Sequence, residues 1–133
     1  MSKHGPILAV VSDAYLPLVA GVRVAGLEPI VEANWLNALQ AFDRTQPAAV
    51  IAAGPAEAGA IFETLATRVA PTHPYIPLIV LDAVASLPAN AISFSPMQNG
   101  ADRLAARLRA ALRVRALHAT MLRRQLDRPS ASH

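Results

Sequence analysis

The sequence predicts an α/β protein with a doubly wound parallel sheet, and three observations carry that reading. Short aliphatic runs alternate with stretches whose apolar residues recur at helical spacing, the pattern of strands joined by helical crossovers. The run Pro47 to Pro55, PAAVIAAGP, has no charge, hydroxyl or amide in its side chains, so Ala48 to Ala53 predicts a strand buried on both faces. Of the 133 residues 53% are hydrophobic and only 5% aromatic, so the core must be built from Ala, Val, Leu and Ile.

The elements follow in order. Ile7 to Val11 is a first apolar strand, closed by Ser12 and Asp13, either of which can cap a helix running to about Ala25. That helix turns Leu16, Val19, Ala20, Val22 and Val24 to one side, accepts Pro17 in its first turn, and stops at Gly26. Glu28 to Ala33 is a short second strand. Asn34 then caps a helix with Trp35, Leu36, Leu39 and Phe42 on its apolar side. The central strand follows, ending in a turn at Ala53, Gly54 and Pro55. A third helix spans about Ala56 to Val69, with Ile61, Leu65 and Val69 at i, i+4 and i+8. Pro71, Pro74 and Pro77 stiffen the loop before a buried strand, Ile76 to Leu81, which ends at Asp82. Ile92 to Phe94 is a weak fifth strand, followed by Ser95 and Pro96.

Charge is distributed unevenly. Residues 1–101 hold four basic residues against seven acids, whereas residues 102–133 hold eight arginines against Asp102 and Asp127. The basic character therefore belongs to the last helix. There is no cysteine, which excludes disulfides, thiolate–metal sites and thiol nucleophiles, and the four histidines show no ligand spacing. No metal or cofactor is expected: the sequence has no glycine-rich phosphate cradle after the first strand and no serine nucleophile elbow. The apolar run near the N-terminus is too short for a signal peptide or membrane span, so the expected location is the cytoplasm and no membrane partner is read.

Over about residues 6–118 the chain resembles the receiver domain of two-component response regulators. GLEPIVEANWLNALQAF looks like that family's second strand and helix, and IPLIVLDA like its fourth strand. The resemblance implies a flavodoxin-like sheet of five parallel strands in the order 2-1-3-4-5. It also implies where the chemistry would sit, and there the residues depart from the family. The phosphoacceptor aspartate at the end of the third strand is matched by Ala53. The acidic pair after the first strand falls on Val11 and Ser12, or on Ser12 and Asp13. The hydroxyl residue after the fourth strand is matched by Asp82, and the lysine before a proline after the fifth by Ser95. An alanine methyl cannot attack phosphorus, and the remaining carboxylates are too few to hold Mg²⁺ well. Ser12, Asp13, Asp82 and Ser95 thus read as a vestigial site without a catalytic residue. Asp13 and Asp82 are expected as strand-end caps, or alternatively as a cation site.

A further departure lies between Asp82 and Ile92. Ala83 to Ala91 offers nine residues including Pro88, too few for the usual helical crossover. The helix that the family places there is expected to be missing or reduced to one turn, leaving the sheet uncovered near residues 78–94 and available to a partner.

The last helix, Gly100 to Leu126, would be about 40 Å long. Leu104, Leu108 and Leu112 form a face that can pack on the sheet; beyond it Val114, Leu117 and Met121 change to an i+3, i+4 pattern, a short coiled-coil seam flanked by arginines. Leu108, Leu112, Val114, Leu117 and Met121 are the expected interaction and dimerisation residues. The run LRVRALHATMLRRQL looks like the connector by which some receivers join a diguanylate cyclase domain. Residues 1–118 are read as the receiver-like domain and 119–133 as an extension toward an output domain. The expected function is non-enzymatic: a receiver-like signalling module that cannot be phosphorylated, forms a homodimer, and regulates its output domain or another signalling protein. Two alternatives stand beside it. One is a nucleic-acid-binding regulator using the arginine-rich helix, disfavoured because no aromatic residue lies among the arginines. The other is an unconventional phosphoacceptor using Asp82 or Asp13, or a small hydrolase.

Overall fold

In the computed structural model, residues 5–27, 29–53, 60–72, 75–82, 87, 90–95 and 100–127 are described. Five strands, β1 (Ile7–Val10), β2 (Ile30–Ala33), β3 (Ala49–Ala53), β4 (Leu78–Leu81) and β5 (Ala91–Phe94), form one sheet in the order β2-β1-β3-β4-β5. Every neighbouring pair is parallel. Among the described residues four α-helices accompany it: α1 (Leu16–Val24), α2 (Ala38–Thr45), α3 (Ala60–Val69) and α4 (Gly100–Asp127). The architecture is the flavodoxin-like α/β fold with a long C-terminal helix. β5 runs parallel to β4 although only nine residues separate Leu81 from Ala91.

Strand alternation divides the core into two layers. Ile7, Ala9, Ile51, Ala53, Ile79 and Leu81 turn toward α1 and α4, where they meet Val19, Val22, Leu104 and Leu108. Leu8, Val10, Val50, Ala52, Leu78 and Val80 turn the other way, toward Phe42 of α2 and Phe62, Leu65 and Val69 of α3. Every residue of β1, β3 and β4 is buried, which is why these strands read as unbroken aliphatic runs. Each Val, Leu or Ile so buried contributes about 1.5–3 kcal/mol.

Local chemistry sets the helix ends. Asn34 caps as expected, its Oδ1 accepting from the Asn37 amide at 3.0 Å, and a 3₁₀ turn over Trp35–Asn37 leads into α2. Before α1 neither Ser12 nor Asp13 caps with its side chain. A 3₁₀ turn at Asp13–Tyr15 is closed instead by the Ser12 carbonyl, which accepts from the Tyr15 amide at 3.0 Å. Gly26 ends α1 at φ 104°, and Arg109 of α4 donates to the Ala25 carbonyl, satisfying a group that the helix end leaves open. α1 and α4 approach closely where Gly21 faces Ala101; a Cβ on Gly21 would lie 2.6 Å from that of Ala101.

Several expectations are corrected. Val24 and Leu36, assigned to apolar faces, are each 88% exposed. They sit at a helix end and in a 3₁₀ turn, where the rotation per residue no longer follows the helix period. β4 is covered on both faces, so among the described residues of 78–94 the open part narrows to Asp82, which is exposed, and β5, whose residues are half-buried or exposed. The turn at Gly54 and Pro55, the start of the third helix before Ala60, most of the link after Asp82 with Pro88, Pro74, Pro96, the tail after Asp127, and His4, His73 and His133 lie outside the described residues.

Candidate functional site

Parallel register brings the ends of β1, β3, β4 and β5 to one edge of the sheet. Val10 pairs with Ala52, Ala53 with Leu81, and Leu81 with Phe94, so Ser12, Asp13, Asp82 and Ser95 all follow strand ends there. This is the edge at which open α/β sheets carry their ligands.

Ala53 itself is completely buried, with its methyl group in the aliphatic layer beneath α1 and α4. Its carbonyl is also occupied: the indole Nε1 of Trp35 donates to it at 2.8 Å. Trp35 is held in turn by Phe62, edge to face, with ring centroids 6.1 Å apart.

Asp82 adopts φ 52°, a left-handed conformation that aspartate tolerates better than most residues, and its amide donates to the Phe94 carbonyl at 2.9 Å. Its carboxylate accepts a 2.9 Å hydrogen bond from the Tyr15 hydroxyl. Burial raises the pKa of Tyr15 above its ordinary value of 10.0, and the hydrogen bond to Asp82 and that carboxylate's charge raise it further. At neutral pH Tyr15 is therefore an un-ionised phenol that donates to Asp82. Asp13 and Ser95 are exposed, and Ser12 is half-buried with its carbonyl engaged in the turn. Among the described residues, no group of three or more histidine or acidic side chains converges to hold a metal ion.

The edge thus gathers the four vestigial positions, and among them the Asp82 carboxylate and the Ser12 carbonyl are engaged by Tyr15. Tyr15 and Trp35 are the two residues that sequence reasoning missed there. Both occupy the first turn after a strand, on the ligand-bearing edge, and that position was the available signal.

The second candidate surface is on α4. Val114, Leu117 and Met121 are 52%, 60% and 59% exposed and lie on one stripe of the helix. Leu108 and Leu112, assigned from sequence to the same interacting set, are buried against the sheet and belong to the core. The helix keeps touching the body as far as His118, whose Nδ1 accepts from the Tyr75 amide at 3.2 Å, while residues 123–126 are exposed.

The arginines of α4 are spread around its circumference rather than gathered on one face. Arg103 lies over the Phe94 ring at 5.3 Å, Arg109 binds the end of α1, and Arg115 lines a cavity of about 440 Å³ with Thr72 and Ile76. None of the helices among the described residues is long and apolar enough to cross a membrane. No protein-family model matches the chain, and a search of curated proteins finds no match.

Proposed function

We propose that this chain is a receiver-like signalling module that does not accept a phosphoryl group. It associates with a second copy through α4 and passes that state to an output domain, of the diguanylate cyclase class, joined beyond the helix.

The observation that carries the reading is the exposed stripe of Val114, Leu117 and Met121. Three large apolar side chains at i, i+3 and i+7 fit the seam of a two-stranded coiled coil, where a second copy of the stripe would remove them from water. The strand order supports the receiver-like part, since it is the order that the family resemblance implies. Ala53 supports the absence of phosphoryl transfer, because its position offers a buried methyl and no nucleophile.

The test is the molar mass of the full chain in solution across concentration, for the natural sequence and for a Leu117→Glu, Met121→Glu variant. A concentration-dependent dimer that the two substitutions abolish supports the reading. A natural chain that stays monomeric at high micromolar concentration removes it.

A further inference from the structure

The sheet ends in two edge strands, β2 and β5. Along β2, Glu32 is held by Arg23 at 3.2 Å, and the same guanidinium donates to the Ile30 carbonyl at 3.1 Å. β5 is different. The Phe94 carbonyl accepts from the amide of Asp82, the residue after β4, so Phe94 and, two residues earlier, Ile92 turn their peptide groups inward to the sheet. By alternation, the amide and carbonyl of Ser93 point outward. No described strand pairs with that side.

Beside this open edge runs a groove of about 640 Å³, floored by Ser93 and Phe94 and walled by Arg103, Ala106, Arg107 and Ala110 of α4. Neither guanidinium is ion-paired among the described residues. Arg103 is positioned by the Phe94 ring beneath it. The two alanines leave room between helix and strand that larger side chains would fill.

We propose that this groove binds an acidic segment of a partner protein in extended form, added to the sheet as a sixth strand beside β5. An edge residue that turns both a donor and an acceptor outward matches a peptide backbone, which also presents both. A phosphate matches it less well, because the outward carbonyl repels an anion. The charge of the groove selects the side chains. Arg103 and Arg107 stand one helical turn apart, about 6 Å, and alternate residues on a strand are about 6.6 Å apart. The segment therefore carries carboxylates at i and i+2 on the side facing α4, while the residue between them turns to the opposite face of the sheet. The groove follows the first half of α4 and the Val114–Met121 stripe its second half, so the two surfaces can be tested separately.

The experiment measures fluorescence anisotropy of a labelled octapeptide of alternating glutamate and valine, titrated with the full natural chain. Its lysine–valine counterpart, a version N-methylated on the backbone at the two central residues, and unlabelled inorganic pyrophosphate serve as comparisons. The glutamate peptide is expected to bind at least tenfold more tightly than either altered peptide. An Arg103→Glu, Arg107→Glu variant is expected to reverse the preference in favour of lysine, a gain that an unfolded chain would not show. N-methylation leaves the protein unaltered and so tests strand addition independently of any folding defect. No binding of the glutamate peptide at millimolar protein, equal binding of the lysine peptide, or full binding of the N-methylated peptide overturns the proposal. Displacement of the labelled peptide by pyrophosphate at lower concentration than by unlabelled peptide also overturns it, in favour of a simple anion site.

Discussion

The indole nitrogen of Trp35 donates to the carbonyl oxygen of Ala53 at 2.8 Å, joining the first turn after β2 to the last residue of β3. The bond occupies the strand end at which the resembled family carries its acceptor, and it lets the alanine there remain fully buried.

Restoring the carboxylate at that position is therefore expected to fail. In Ala53→Asp the new group enters an aliphatic layer with no cation beside it among the described residues, and the fold should lose about 3 kcal/mol or more. Chemical denaturation measures the loss, and intact-mass analysis after incubation with acetyl phosphate should show no phosphoryl adduct. A stable, phosphorylated variant would mean that Ala53 is less enclosed than its burial indicates.

The close approach of α1 and α4 predicts a cost for one methyl group. With a Cβ only 2.6 Å from that of Ala101, Gly21→Ala must push the helices apart and should destabilise by about 1–3 kcal/mol. Adding Ala101→Gly should recover part of the lost melting temperature. Without that recovery, the loss would have to come from somewhere other than the helix contact.

The Tyr15–Asp82 pair predicts an alkaline dependence. Tyr15 titrates above its ordinary value in the folded chain, so its contribution is complete below pH 10 and is lost as pH rises through the raised value. Stability measured between pH 8 and 11 should fall at the alkaline end, and Tyr15→Phe should flatten that fall. An unchanged slope in the variant would assign the alkaline loss to other groups.

Salt should separate the two readings of α4. Arg113 and Arg124 are exposed and border the apolar stripe with like charge, so screening should strengthen self-association between 0.05 and 0.5 M salt by about threefold or more. Retention on nucleic acid through the same arginines would weaken steeply over that range. Sedimentation equilibrium and a DNA-retention series at matched salt measure the two effects.

β1, β3 and β4 were readable because burial on both faces removes every polar side chain, and the strand order came with the resemblance rather than from the residues alone. Periodicity fixed the existence of each helix but not its phase at the ends, which is how Val24 and Leu36 were misplaced. The same uncertainty placed Leu108 and Leu112 with the exposed seam, because an i+4 leucine row reads alike whether it faces a sheet or a partner. The site was less accessible to sequence reasoning. Tyr15 and Asp82 are 67 positions apart, and nothing in either neighbourhood signals the other. The open edge of β5 was anticipated only as an uncovered region, since the direction of the Ser93 peptide group depends on the ladder that β4 makes with its neighbour.

α4 runs for 28 residues without a proline, and its only glycine is its first residue. Such a rod has no joint. A load applied at Met121 is therefore not taken up by a bend in the helix and passes to the first place where it is seated, His118 against Tyr75.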